Sequence, residues 1–530
     1  MTSKHSAPYR HDCKAVGVVA AETGLSDIES FRLGPTASAE VTARNQELSD
    51  KCDSDLLIVD WDGPDDSENP RNWQASRKWA VTLVVSGFLF ISPVSSAMIS
   101  PATDQIASQF DIHSSVVAAM TTSSFLLAYA VGPLFLGPLS EIYGRVIVLQ
   151  LSNLWYLAWN LGCAFAQGTG QLIAFRFLAG IGGSAPLSIG GAVIGDCFKP
   201  EHRGKALAVY GLVPLVGPFI GPLTGAWVGQ KSDWRWVFYS TSIATVAVQI
   251  LGFLFLRETY APVLLKRKLK RVTRNMNEIE GKTVRLRTTF ETVDDGRWWT
   301  FAREALLTPF TLFLREPIVQ LLGIYFAFMY GLTYLFVTTI SPIFLTVYQE
   351  PVGISGLHYL SQGLGVSIMA QFNARTMDTA YAWLKRKYKG EGKPEYRLPP
   401  MMLGTILLPI GILIAGWSAE THQSWIAVDI GFFIFGMGTV LTSQCVTMYV
   451  VDTFTLHAAS ALAAVTFLCS MAGFGFPLFA PAMFDALGYG KGTTLIAVIG
   501  IGLGCPAPWL FWFYGERIRN RSLYAVHAKL

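Results

Sequence analysis

The chain has 530 residues, of which 51% are hydrophobic and 15% charged, with mean hydropathy +0.38 and a net charge of +4. A soluble domain carries about a quarter charged residues, so the composition excludes an ordinary soluble protein. The seven cysteines (Cys13, Cys52, Cys163, Cys197, Cys445, Cys469, Cys505) form no CxxC or other metal-ligand cluster, so neither a disulfide framework nor a zinc site is expected.

Residues 1–78 are polar, acid-rich and without sustained periodicity, which predicts a mostly disordered tail. The first thirty residues lack a basic stretch followed by an apolar core, so no cleavable signal peptide is expected. From Trp79 to Tyr514 about twelve apolar stretches follow, most near twenty residues. A bilayer core about 30 Å thick needs about 20 apolar residues per helix, and backbone groups in lipid must be satisfied within each segment. The chain is therefore read as an all-α polytopic membrane protein of twelve transmembrane helices in two six-helix bundles. The first bundle (79–256) has spans Trp79–Ile99, Val117–Gly137, Val146–Ala166, Leu172–Ala192, Ala206–Trp227 and Val237–Leu256. The second (318–515) has Ile318–Thr338, Gly356–Phe372, Met401–Ala419, Ile426–Tyr449, Ala458–Phe479 and Thr494–Tyr514. The eighth is short and interrupted by Gln362 and Gln371, as suits a helix facing protein or a wet cavity.

Residues 257–317 form a charged linker between the bundles. Its Trp298, Trp299, Phe301, Leu306, Leu307, Phe310 and Phe313 mix with charges, which fits a helix on the membrane surface or one packed under the spans. Basic residues concentrate on one side: Arg145, Lys199, Arg203, Lys205, the run Lys266–Arg274, the cluster Lys385–Arg397, and Arg517, Arg519 and Arg521 in the tail 516–530. Only Lys231, Arg235 and Lys491 lie opposite. This asymmetry predicts both termini in the cytoplasm. Two six-span halves around a polar linker is the layout of a secondary transporter. No GxxxxGK[ST] run suggests ATP hydrolysis, and no TVGYG-like filter suggests a channel. The scattered histidines (5, 11, 113, 202, 358, 422, 457, 527) make no catalytic constellation, so no enzyme activity is expected.

The loop after the second span reads Gly137-Pro-Leu-Ser-Glu141-Ile-Tyr-Gly144-Arg145. It resembles the GxLaDrxGrk signature of the major facilitator superfamily, with Glu141 for the usual aspartate and Ile142 and Val146 for basic residues. The resemblance implies that the glycines allow close helix approach while acid and arginine form a cytoplasmic latch, the acid also facing a helix N-terminus of the other half. In the fourth span, Arg176-Phe-Leu-Ala-Gly180 resembles the family's RxxxG motif, implicated in proton coupling. Arginine stays protonated, so Arg176 would tune a neighbouring carboxylate or hold water; the alternative is snorkelling to the nearer surface. The fifth span carries Gly211, Pro214, Gly217, Pro218, Gly221, Pro222 and Gly225. It is similar to the antiporter-associated GPxxGG motif, with Pro222 where glycine is usual, and its glycine spacing gives a smooth face for helix contact.

Further segments (Asp62–Asp66, Asn69–Trp73, Asp233–Phe238, Glu258–Leu265, Pro394–Pro399) resemble the fungal twelve-spanner drug:proton antiporter branch. That resemblance implies a plasma-membrane exporter of drugs, polyamines or secondary metabolites. The expected function is proton-coupled export of a small, lipophilic organic compound by alternating access, without cofactor, nucleic acid or partner chain. The alternatives are polyamine export or proton-coupled uptake of a sugar or organic acid. A proton carrier needs a carboxylate within a span. Asp429 is the candidate, with an interfacial aspartate as the alternative reading, whereas Asp104, Asp452 and Glu258 read as caps or interface charges. In this family the cavity lies between spans one, four, seven and ten. The candidates for its lining are Tyr325, Tyr330, Tyr334, Gln362, Phe433 and Gln444, supplying aromatic walls with few polar anchors.

Overall fold

A computed structural model of the chain describes residues 56–63, 65–279, 285–288, 298–388, 393–454, 458–520 and 522. Residues 1–55 of the expected tail, and all but Ser522 of the last ten residues, lie outside the described residues. Two units divide the chain. The small one comprises Met1–Asp60 and Leu265–Glu291. In it, strand Leu56–Val59 pairs in parallel with strand Arg285–Thr288, and Lys268 Nζ donates to the Asp60 carbonyl at 3.0 Å. Within the segment to residue 78 that is expected to be mostly disordered, the described residues from Leu56 on include regular structure. Leu56-Leu-Ile-Val59 is an apolar β-forming run, and a 3-10 turn at Pro70–Asn72, capped by the Asn69 side chain, precedes the first long helix.

The large unit is a helical bundle. Its first half comprises Ala75–Ala97, Ser115–Tyr143, Arg145–Ala164, the pair Thr169–Gly183 and Ala185–Cys197, Pro200–Lys231, and Arg235–Phe255. Its second half comprises Pro317–Thr346, Tyr359–Lys387, Pro399–Glu420, Trp425–Thr453, and Ala458–Gly504 continued by Pro506–Arg519. The long last helix breaks at Gly488 (φ 76°), where the eleventh span becomes the twelfth. Glu420 caps the new start by accepting from Gly490 N at 3.2 Å. Among the described residues nine stretches are long and apolar enough to cross a membrane, and one of them, Ser460–Arg519, holds both the eleventh and twelfth spans. The third and eighth helices complete the twelve.

Those two are less apolar because they carry amides, and three of these, Asn153, Asn160 and Asn373, are hydrogen-bonded inside the protein. Asn153 Nδ2 donates to Gln249 Oε1 at 2.6 Å, and Asn160 Nδ2 reaches Thr241, Ser242 and the Phe238 carbonyl of the sixth span. In the eighth span Asn373 Nδ2 donates to Gln444 Oε1 at 2.8 Å. Burying an amide without such a partner costs several kcal/mol. Around the outside the bundle exposes large apolar side chains such as Leu151, Ile243, Leu254, Ile324, Phe372 and Val498, far more than a soluble surface tolerates. Helix Trp298–Arg315 packs against the eleventh span through Phe310, whose ring lies 5.2 Å from Phe467, and through buried Leu312, while Leu314 is exposed. The helix thus packs beneath the spans and still presents an apolar edge outward.

Candidate functional site

The helices alternate in direction. One face of the bundle carries the start of the first helix at Ala75, the end of the sixth at Phe255, the start of the seventh at Pro317 and the end of the last at Arg519 (the terminal face); the other carries short connections (the loop face). Arg176 lies midway along Thr169–Gly183 and is 1% exposed. The first helix ends at Ala97, with Met98 N closing on Val94 O, so the Ser95 and Ser96 carbonyls of its last turn lie where helical donors run out. Arg176 supplies them: Nη1 donates to Ser95 O at 2.9 Å and Nη2 to Ser96 O at 2.8 Å. On the second span, Nε reaches Thr121 O at 3.2 Å and Nη2 reaches Thr122 O at 3.1 Å, using the second lone pair that every carbonyl keeps. The guanidinium also sits 4.8 Å from the Phe125 ring. A cation at a helix C-terminus also complements its dipole. Among the described residues no carboxylate lies within ion-pair distance of Arg176, so the expected tuning of a neighbouring acid is replaced by a main-chain clamp. The snorkelling alternative is corrected by its burial.

The halves meet beside this clamp. Ser96 Oγ lies 3.3 Å from Tyr334 OH, Ser100 Oγ donates to Val337 O at 3.1 Å, and Leu126 and Tyr330 crowd Gly473. Ser92 Oγ hydrogen-bonds Tyr129 OH and the Gly183 carbonyl. Above this contact, toward the loop face, a cavity of about 310 Å³ lies between the halves, lined by Ser100, Asp104, Thr122, Thr339, Phe484 and Asp485 among others. Its walls come from the segment Ser100–Gln109 just after the first span and from the second, seventh and eleventh spans; of the expected one, four, seven and ten, the fourth and tenth contribute none of the residues that line it. None of the six sequence-derived lining candidates borders it. Tyr330 and Tyr334, with rings 5.1 Å apart, form the contact beneath it. Tyr325 points the other way, against Gly504. Gln362 is fully buried with neither side-chain amide atom hydrogen-bonded, Gln444 is engaged by Asn373, and the Phe433 main chain packs on Gly365.

The Gly137–Arg145 loop builds a charge cluster on the terminal face. Arg145 Nη2 meets Glu141 Oε1 at 3.3 Å, Nη1 donates to Ser140 Oγ at 2.8 Å, and Nε stands 3.8 Å from Asp196 Oδ2. Glu258 caps the third span: its carboxylate accepts from Arg145 N at 3.0 Å and Val146 N at 3.3 Å. Burial and the Glu141 carboxylate push the Tyr260 phenol above its ordinary range, against the Arg145 guanidinium, which lies 4.6 Å from its ring. Ser140, Glu141 and Asp196 belong to the first half, and Glu258 and Tyr260 follow its last helix. Gly144 is required by geometry: its φ is 109°, and an added Cβ would stand 2.3 Å from Glu258 Oε2. Gly144→Ala is expected to cost about 1–3 kcal/mol, read as a lower melting temperature in detergent. Gly137→Ala, whose Cβ meets nothing within 4 Å, is expected not to lower it.

Close approach also explains the fifth-span stripe. Gly217 and Gly221 face Pro93 and Val94 of the first span, and Pro218 lies within the same helix. Gly180 sits against the Phe125 carbonyl. Asp429, in the tenth span, is 19% exposed at its side chain and does not stand alone. His358 Nδ1 lies 2.9 Å from Asp429 Oδ2, and His358 Nε2 lies 2.8 Å from Glu350 Oε2. Sequence reasoning missed both partners, which are 71 and 79 residues away and carry no spacing signal. It also missed Asp196 at the Arg145 cluster.

The chain matches the Major Facilitator Superfamily over residues 85–477. It is 46% identical over 505 residues to "Efflux pump vrtL" of Penicillium aethiopicum, covering 95% of this chain and 97% of that one. It is 41% identical over 475 residues to "MFS-type transporter penM" of Penicillium rubens, covering 89% and 91%. Among solved structures, a D-xylose-proton symporter is 16% identical with a TM-score of 0.60, covering 84% of this chain and 99% of that one. That likeness concerns the fold alone.

Proposed function

Because the chain belongs to the Major Facilitator Superfamily, a family of membrane transporters and not of enzymes, we propose that it exports a small, lipophilic organic compound in exchange for protons. Cargo crosses by alternating access between the two six-helix halves, and no covalent chemistry is required. The observation that carries this reading is the cavity of about 310 Å³ walled by residues of both halves, which is within the range of small-molecule sites. Hydroxyls beside Phe484 and Tyr489 suit a ligand with a broad apolar body and few polar groups. The export direction is supported by the printed name of the relative that is 46% identical, an efflux pump.

In this proposal the membrane is the plasma membrane and both termini are cytoplasmic, an orientation that the crowding of Lys and Arg on one side of the spans supports. The proton gradient is the energy source, and no cofactor takes part. The test is an accumulation screen in a transporter-deficient yeast with a panel of lipophilic dyes and fungicides. Expression is expected to lower cellular accumulation of at least one compound, and a proton ionophore is expected to restore it. Export that continues with the gradient collapsed rejects the coupling, and accumulation that rises on expression rejects the direction.

A further inference from the structure

His358 sits in the 3-10 turn Gly356–His358, between the loop after the seventh span and the eighth helix. Its ring is 6% exposed and stacks on Phe344 at 3.5 Å, with Trp425 edge-on at 5.6 Å. Each ring nitrogen faces one carboxylate oxygen: Nδ1 faces Asp429 at 2.9 Å and Nε2 faces Glu350 at 2.8 Å. A neutral imidazole has one N–H and one lone pair. Two carboxylates can both be bonded only if the trio holds one further proton, on the ring or on an acid. Without it, a lone pair is aimed at a carboxylate in a largely dry site, an arrangement that low dielectric makes costly. Asp429 Oδ1 is already buried without a partner.

The segment these contacts hold is also the one that docks onto the other half. Gly353 N donates to Gln230 Oε1 of the fifth span at 2.8 Å, Gly356 abuts Ala226, and Gly363 abuts Phe219. One short stretch of chain therefore carries both the imidazole between its acids and the loop-face closure between halves. We propose that His358, Asp429 and Glu350 form a proton-binding site, and that the bound proton holds the loop face of the transporter closed. The inference rests on the proton-exchange reading above. Its sign suits export: a proton taken from the loop-side solution closes that face, and its loss opens it, as inward proton flow driving outward cargo requires.

The other groups packed around the ring leave it as the titrating element. The seventh span contributes Phe344 and, just past its end, Tyr348, whose hydroxyl donates to Gln423 O at 2.7 Å. The tenth contributes Trp425 and Asp429. The facing end of the fifth contributes neutral Gln230 and, one residue on, Lys231, whose ammonium lies 5.6 Å from the Trp227 ring. Histidine is the side chain whose ordinary range spans neutral pH.

The test uses the full chain in nanodiscs, with spin labels at Ser232→Cys and Gln423→Cys, exposed positions on the loop face of opposite halves, and with Cys13, Cys52 and Cys505 replaced by serine. In the parent protein the short-distance population is expected to fall as pH rises from about 5 to about 8. His358→Gln is expected to abolish that response. Glu350→Gln, which removes one of the two carboxylates, is expected to move its midpoint to lower pH by about one unit. A parent distribution that ignores pH, or His358→Gln titrating like the parent, overturns the site. If His358→Gln does not fold, an unmoved midpoint in Glu350→Gln overturns it alone. Gradient-driven export by the same preparations reads the functional proposal separately: export without the distance response removes the site and leaves the exchange. The distance response in protein whose export ignores the gradient removes the exchange and the coupling role with it.

Discussion

Arg176→Ala is expected to lower export per molecule by about a hundredfold while leaving the protein folded in the membrane. The magnitudes decide between these two effects. Hydrogen bonds inside membrane proteins average about 0.6 kcal/mol, so the four made by Arg176 sum to about 2.4 kcal/mol. Removing an arginine from a span relieves about 2.5–3.5 kcal/mol of insertion cost. The two nearly cancel, and stability changes little. Geometry does not cancel. The carbonyls of Ser95 and Ser96 lie just before Ser100, which lines the cavity, and Thr122 lines it directly. Without the guanidinium the four hydrogen bonds that tie the end of the first helix to the second span are lost, and a displacement of about 1 Å at a working site can cost about a hundredfold. Arg176→Lys is expected to fall in between, since an ammonium offers three donors in place of a planar fork. Transport into inverted vesicles, normalised to protein by fluorescence-detected size exclusion, separates the two effects. Full export by Arg176→Ala, or its loss from the membrane, contradicts the argument.

The spans were legible because a helix in lipid must be long, apolar and self-satisfied, and that constraint is local in sequence. Even the third and eighth helices could be read, although the amides of Asn153, Asn160 and Asn373 dilute them. The Gly137–Arg145 loop was legible as a motif and Glu258 as a cap or interface charge, but not which helix Glu258 caps, nor Asp196 as a partner of Arg145, because contacts across 51 and 113 residues have no spacing to recognise. Arg176 shows another limit. Its partners are main-chain carbonyls exposed by a helix end at Ala97, and no side-chain pattern encodes an acceptor that every residue carries. His358 was dismissed for standing apart from the other histidines, yet its chemistry comes from two acids on separate elements. Strand Leu56–Val59 was hidden by the polar sequence around it and by a partner more than two hundred residues away.

Gly221→Val is expected to cause the second large loss, and a glycine ten residues away on the same helix supplies the control. A Cβ at Gly221 would stand 2.4 Å from the Val94 carbonyl oxygen and 3.1 Å from Met98 N, while one at Gly225 would stand 2.0 Å from Met98 O. These obstacles are backbone atoms, so no rotamer change removes them; the first and fifth spans must separate. Overpacking of this kind costs about 1–3 kcal/mol. Separation also undoes the contacts of the fifth span with the second half, because Ala226 and Gln230 lie on its next turns toward the loop face. Export is expected to fall by about tenfold or more, since about 1.4 kcal/mol corresponds to a factor of ten, with a lower melting temperature. Gly221→Ala is expected to show the same changes in smaller measure. Gly211→Ala, whose Cβ would meet nothing within 4 Å, is expected to match the parent in both measurements. If Gly211→Ala and Gly221→Ala behave alike, the close contact of the first and fifth spans is not what the glycine stripe provides.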